Sequence, residues 1–454
     1  MIRARKRFVQ GGQWLVPLLL LLACADDRDQ APGLCDGRAC PASCRSIAFE
    51  SCDVRKTKCL QQILDAVICV RGTPGVLPEV RTLTESEYRE ELEAESEPKD
   101  AGTRLDGDED AGVDDAGTPS QALDAKPDHW SVGLQLLGLL APDTDSQTAS
   151  TKSSVTSVAG FYSSIDRRIT LIDRGVPLDD PDIQRNMAHE LVHALQDQDL
   201  GLYELRTRGS WSDDGQFASG CLVEGEANLY EELAWQLLNR RTLDVSGLKE
   251  SIVRNLKYYR RGVVSDASPY YEIWSLRYPV GTSYLIDAWR HGGNWEVQSL
   301  HEAPPNASIQ WMVGYEANQT RREHLVLPLA CPLAAVPKDY ELYSRDSLGP
   351  FVLFAFLGHT LLDGGVYASE EHWRNAQHWR QDSFTLFSGP NGETAVSYRI
   401  RFDDEDLAVR LASALRNVTG RSLTVHRSGA EIEILAAEDS SVLVDWKTDP
   451  KHCE

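Results

Sequence analysis

Apolar residues recur at helical spacing through residues 181–198, PDIQRNMAHELVHALQDQ, where Ile183, Met187, Leu191, Val192 and Leu195 mark one stripe. Asp180 stands where an N-cap is needed, and Pro181 suits the first helical position. A second helical stripe, Leu222, Val223, Ala227, Leu229 and Leu233, follows the polar, loop-like stretch 201–220. Upstream, GVLPEVRTL reads as a short strand, with Thr84 or Ser86 placed to cap the helix SEYREELEAE. HWSVGLQLLGLLAP reads as a short amphipathic helix, and SVAGFYSSIDRRITLIDRG alternates about Ser-Ser-Ile-Asp as a β-hairpin. Downstream come further helices after Arg241, one of them closed at Gly292–Gly293, another opened by Pro304–Pro305, and an apolar helix in DSLGPFVLFAFLGHTLL. From about Trp379 the period shortens to two. SFTLFSG and TAVSYRIRF flank Pro390-Asn391-Gly392 as a hairpin, DDEDLAVRLASALRNV is a capped helix, and SLTVHRSG with AEIEILAAE forms a second hairpin. The pattern predicts an α+β chain, mainly helical, with a small sheet near residue 165 and a small α+β C-terminal lobe over 346–454.

The ends and the composition add boundaries. The chain has 454 residues, room for two or three domains, and 42% hydrophobic with 25% charged residues is ordinary for a globular protein. A net charge of −23 argues against nucleic acid or an anionic membrane surface as partner. Residues 1–23, basic MIRARKRF followed by a Leu-rich run, read as a signal peptide, too short and wrongly flanked for a membrane span. LLAC has the form of a lipoprotein processing site, so Cys24 is expected to carry the lipid and to be the only link to a membrane. The expected location is the bacterial cell envelope, on the periplasmic or surface side of a membrane. Cys35, Cys40, Cys44, Cys52, Cys59 and Cys69 lack CxxC pairs and histidines, so in an exported chain they read as three disulfides stapling a helical hairpin within a module over 24–76. Cys221, Cys331 and Cys453 then leave one pair and one buried thiol. Residues 97–127, rich in Gly and Asp, are expected to be a disordered acidic insertion, without the full pattern of a calcium loop.

The candidate chemistry lies on the first stripe. HELVH puts His189 and His193 at i and i+4, so both imidazoles leave one face of the helix and can share one Zn²⁺. Such a pentapeptide arises by chance roughly 0.02 times in a chain of this composition. Glu190 beside them is placed to act as general base on an attacking water. Catalytic zinc takes three protein donors, and the second helix offers Glu224 as the third. Glu226 is the rival, but two positions along a helix point elsewhere. Asn228, at i+4 from Glu224, is expected to orient a ligand imidazole by hydrogen bonding. Tyr278, ahead of Pro279 and Gly281, is a candidate donor to a developing oxyanion, with His291 and His301 as alternatives.

HELVH followed by EGEAN resembles the gluzincin zinc metallopeptidases, in which a second helix supplies a Glu ligand. An acidic residue often stands four places after that ligand; here the place holds Asn228. A closer resemblance, from about Val80 to Ala414, is to uncharacterised bacterial lipoproteins that share an HELxHALQDQ helix, GFYSSIDRRITLID, VEGEA and DSLG. The resemblance implies a zincin-like catalytic domain over 77–345 and cleavage of peptide or protein amide bonds by a zinc-activated water. It also implies that the hairpin near residue 165 supplies the edge strand that binds substrate backbone. The alternative is a non-enzymatic envelope lipoprotein that uses the same fold for binding.

Overall fold

The computed structural model describes residues 51–96, 128–142, 159–207, 212–239, 244–265, 268–314, 336–361, 370–418 and 422–446, with a few isolated positions besides. The signal peptide, Cys24, Cys35, Cys40, Cys44, Cys331, Cys453, the first helix of the expected Cys-rich hairpin and the acidic insertion lie outside them. The architecture is α+β and mainly helical, with two small sheets.

The order begins α1 (Thr57–Arg71), β1 (Glu79–Thr84), α2 (Glu85–Ser96), α3 (His129–Leu137), β2 (Gly160–Ser163), β3 (Arg168–Asp173) and α4 (Pro181–Leu200). It continues with α5 (Asp213–Leu238), α6 (Val245–Ser265), α7 (Arg277–Glu302) and α8 (Ser308–Gly314). The C-terminal part holds β4 (Glu341–Asp346), α9 (Gly349–Thr360), α10 (Glu370–Ala376), β5 (Trp379–Ser388), β6 (Thr394–Phe402), α11 (Glu405–Arg416), β7 (Leu423–Ser428) and β8 (Glu431–Ala437). Local chemistry starts several of these elements, but the stretch 201–220, loop-like in sequence, is largely helical: Leu202–Thr207 forms a short helix and α5 begins at Asp213. Thr84 Oγ1 accepts from the Glu87 amide while the Glu87 carboxylate accepts from the Thr84 amide, a reciprocal cap on α2. Asp180, Ser212 and Asp404 cap α4, α5 and α11 in the same way from one side.

The first sheet has order β1-β3-β2, with β1 parallel to β3 and β2 antiparallel to it, from Gly160↔Leu171 to Ser163↔Arg168. Its faces follow the strand alternation. Tyr162, Ile169 and Leu171 join the main core, while Phe161 and Ile172 pack with Tyr88 of α2 on the other side. The second sheet is antiparallel throughout, order β4-β5-β6-β8-β7. Its first strand, β4, begins at Glu341, ahead of the boundary expected at residue 346. One core runs from α1 through α4, α5 and α7 to β5, β6 and β8. Helix α3 is part of the join: a Cβ on Gly133 would meet Phe384 and Val396 side chains, and His129 Nδ1 lies 2.8 Å from Thr394 Oγ1.

The glycine pair Gly292–Gly293 closes a helix as its sequence suggests: Gly293 (φ 63°, ψ −151°) breaks α7, and a second helical stretch runs from there to Glu302. The break delivers Asn294 to the end of α1, where its Nδ2 donates to the Val70 carbonyl and its Oδ1 accepts from Tyr230 and Trp289. The described part of the Cys-rich segment is docked on the rest of the chain. Cys52 and Cys59 are bridged at the start of α1 and Cys69 is disulfide-bonded near its end, while Leu60, Ile63, Leu64, Val67 and Val70 belong to the main core.

Four carboxyl groups tie the start of α5 to the C-terminal sheet. Asp346 accepts from the Asp213 amide, Asp382 from Ser347 Oγ and the Gly349 amide, Asp214 from the Ser308 amide, and Asp213 from the Tyr270 hydroxyl at 2.5 Å. Burial, before any other cause, pushes Asp213 and Asp214 up to about 7, Asp346 to about 9 and Asp382 to about 6. The folded state therefore binds protons that the unfolded chain has released above about pH 4, so this contribution to stability is complete in acid and is lost as pH rises towards 9. The melting temperature is expected to fall between pH 5 and pH 9, and Asp346→Asn, which keeps the acceptor oxygen, to flatten that fall. Parallel slopes for the two proteins in thermal unfolding would show that Asp346 is ionised across this range in the native fold.

Candidate metal centre

The apolar stripe of α4 seats Met187, Leu191, Val192 and Leu195 in the core and leaves His189 and His193 facing α5. Helix α5 in turn is held by α7 at an unusually close crossing. A Cβ on Gly225 would stand 2.7 Å from the Gly281 Cα and 2.8 Å from the Thr282 amide, and one on Gly281 would fall on the Cys221 carbonyl oxygen. Only a pair of glycines permits that backbone contact, and it lies one residue from Glu224.

Three donor atoms converge there. His189 Nε2 and His193 Nε2 are 3.0 Å apart, and Glu224 Oε2 is 3.3 Å from the first and 3.2 Å from the second. Donors about 2.0–2.1 Å from a tetrahedral zinc stand about 3.3 Å from one another, so the set fits that ion with little movement. Among the described residues this is the one group of three or more His, Cys, Asp or Glu donors so arranged. All three residues are under 10% exposed. Burial strengthens their field on a cation and also narrows the approach for a substrate backbone.

Each ring has a partner on its far nitrogen. His193 Nδ1 lies 2.8 Å from Gln196 Oε1, and His189 Nδ1 lies 3.4 Å from Glu231 Oε2, which is itself held by Arg185. With Nδ1 donating in both rings, both Nε2 lone pairs point at the shared position. Burial disfavours a charge on His189, but hydrogen bonds to Glu224 and Glu231 outweigh it and hold the imidazole well above its usual pKa. Burial likewise works to raise Glu224, and the neighbouring His193 and His189 hold it well below the usual carboxylate range. Surroundings that favour positive charge on His189 also favour a metal cation beside it.

The other sequence candidates fall in different places. Glu190 is buried one position beyond His189, and its charge bears on that ring. Tyr278 is half-buried with its ring centroid 6.0 Å from that of His189. Asn228 does not hold either ring's far nitrogen: Gln196 of α4 and Glu231 of α5 take those positions, and Asn228 is half-buried on α5. Its i+4 offset from Glu224 puts it on the right side of α5, but Glu231, a further turn along, reaches the ring. His291 is exposed, and His301 is committed to Glu226 at 2.6 Å. Cys221 is a buried free thiol that burial pushes well above its usual pKa, so it is no nucleophile. The rival ligand, Glu226, points away from the donors towards Arg71 and Gln196. Gln196 at i+3 from His193, and Glu231 at i+7 from Glu224, were both visible as helical face-mates of a ligand.

Comparison of the chain with protein-family models, with curated proteins and with solved structures finds no match. Gly225→Ala is expected to destabilise the chain by about 1–3 kcal/mol by forcing α5 from α7. It should also weaken metal binding, because Glu224 is the next residue. Thermal unfolding with and without zinc checks both, and an unchanged melting temperature would refute the close crossing.

Proposed function

We propose that the chain is an exported zinc-dependent metallohydrolase of gluzincin-like type, tethered through lipid at Cys24 and acting on peptide or protein amide bonds. The observation that carries the reading is a three-donor set, His189, His193 and Glu224, with Glu190 adjoining it. Structural zinc sites close the metal with four protein donors, whereas catalytic ones keep a position open. Bound there, Zn²⁺ would supply Lewis-acid activation of water and of the scissile carbonyl. Glu190 takes the proton from the attacking water and returns it to the leaving amine. Tyr278 donates a hydrogen bond to the carbonyl oxygen as charge builds on it. Strand β2, an edge of its sheet and packed along α4, offers backbone groups to an extended substrate.

One observation favours the rival, a non-enzymatic envelope lipoprotein in which the metal only braces the fold: the donors are almost covered. Glu190 weighs against it, since bracing requires no acid at that position. Among the described residues no helix is long and apolar enough to cross a membrane.

Purified full chain is expected to hold one zinc and to cleave members of a peptide library until a chelator is added. Glu190→Gln should keep the zinc and lose about 10²–10⁴-fold in turnover, while His189→Ala should lose both. Hydrolysis retained by zinc-loaded Glu190→Gln would sink the mechanism. Stoichiometric zinc with no cleavage of any peptide would favour the rival.

A further inference from the structure

A buried polar chain leads from the metal centre to the N-terminal module. Gln196, fully buried, accepts at its Oε1 from His193 Nδ1 at 2.8 Å. Its Nε2 donates to the Val223 carbonyl at 3.1 Å and to Glu226 Oε2 at 2.8 Å. Glu226, also fully buried, accepts from Arg71 Nε at 2.9 Å and lies 2.6 Å from His301 Nε2. Arg71, 1% exposed, is the last residue of α1 and pairs also with Asp199.

The directions of these bonds are not interchangeable. A carbonyl and a carboxylate can only accept, so both require the amide nitrogen of Gln196 on their side. The amide oxygen is thereby turned to His193, whose Nδ1 must carry the proton. That leaves the Nε2 lone pair for the metal. Rotating the amide by half a turn would set its oxygen against two other oxygens and its NH₂ against the imidazole. The Val223 carbonyl can only accept, so this one contact is enough to fix the amide's orientation.

We propose that Gln196 and Glu226 are positioning residues that set the tautomer of His193, and that Arg71 makes the Cys-rich N-terminal module an integral part of the metal site. The proposal rests on the zinc reading above. Glu226 is thus neither a ligand nor a surface acid: its place two residues after Glu224 sends it to the opposite side of the same centre, where it anchors the support of the other helix's ligand. Helix α1 contributes no donor and yet determines how one donor is presented.

A purely structural role for the buried ion pair predicts a different result from a positioning role. Replacing both charges by apolar groups of similar size leaves neither charge alone, while His301, Gln196 and Asp199 each lose one partner, so stability without metal is measured beside affinity. The test uses the full chain, with zinc affinity measured by chelator competition and the melting temperature measured without metal. In Arg71→Met/Glu226→Leu zinc affinity should fall about 10–100-fold, the usual effect of losing such a support, and by more than any change in the metal-free melting temperature accounts for. Gln196→Met, which removes the acceptor itself, should lose at least as much. Parent-like zinc affinity in both variants would overturn the proposal and leave the zinc reading intact. Affinity that falls only in step with the metal-free melting temperature marks a packing role and also overturns it. Failure of the parent chain to bind zinc overturns the zinc reading and this inference together.

Discussion

Two imidazole nitrogens and a carboxylate oxygen held within 3.3 Å of one another, with lone pairs facing inward, repel unless positive charge lies between them. Holding them there is the constraint on which the rest of the described structure depends. Two donors are one helical turn apart, so α4 sets their spacing by itself. The third comes from α5, and its distance is a matter of tertiary packing. The glycine pair Gly225 and Gly281 brings α7 against α5 backbone to backbone. Side chains from α1 and β3 fill the opposite side of α4.

Each ligand ring is then held by a partner that fits its electrostatic setting. Glu231 faces His189 and is balanced by Arg185; Gln196 faces His193 and is turned by Glu226, which Arg71 balances. Neither chain of contacts ends in an uncompensated charge, as burial demands. The donor set is thus supported on both rings and nearly covered. Asp213 and Asp214 at the start of α5, with Asp346 of β4 and Asp382 of β5, meet burial differently. Burial raises all four, and the hydroxyl and amide donors they share link α5 to the C-terminal sheet.

Much of this was legible from the residues in order. Period and capping place α4, α11 and both C-terminal hairpins, because those depend on contacts a few residues apart; α5 was read only from about Leu222, since its first two turns carry polar residues that the fold buries. The same holds for His189, His193 and Glu190, whose mutual arrangement is helical geometry alone. Glu224 was reachable because the reading required a third donor and α5 offered an acid on a plausible face.

Other features belong to tertiary structure. The parallel pairing of β1 with β3, the recruitment of β4 to the second sheet and the docking of Asn294 on α1 bring together residues far apart in the chain. Local pattern says nothing about such partners. Asn228 was assigned a ring that Gln196 and Glu231 hold instead, since i+4 spacing defines a face but not the reach of a side chain across a helix interface. Arg71 lies 155 residues from Glu226, and a surface reading of either was natural until the fold buried both. The sequence alone determined which helix carries the donors and in what order; only packing decided what faces them, because burial turns a charged side chain from a solvated group into one that must find its opposite.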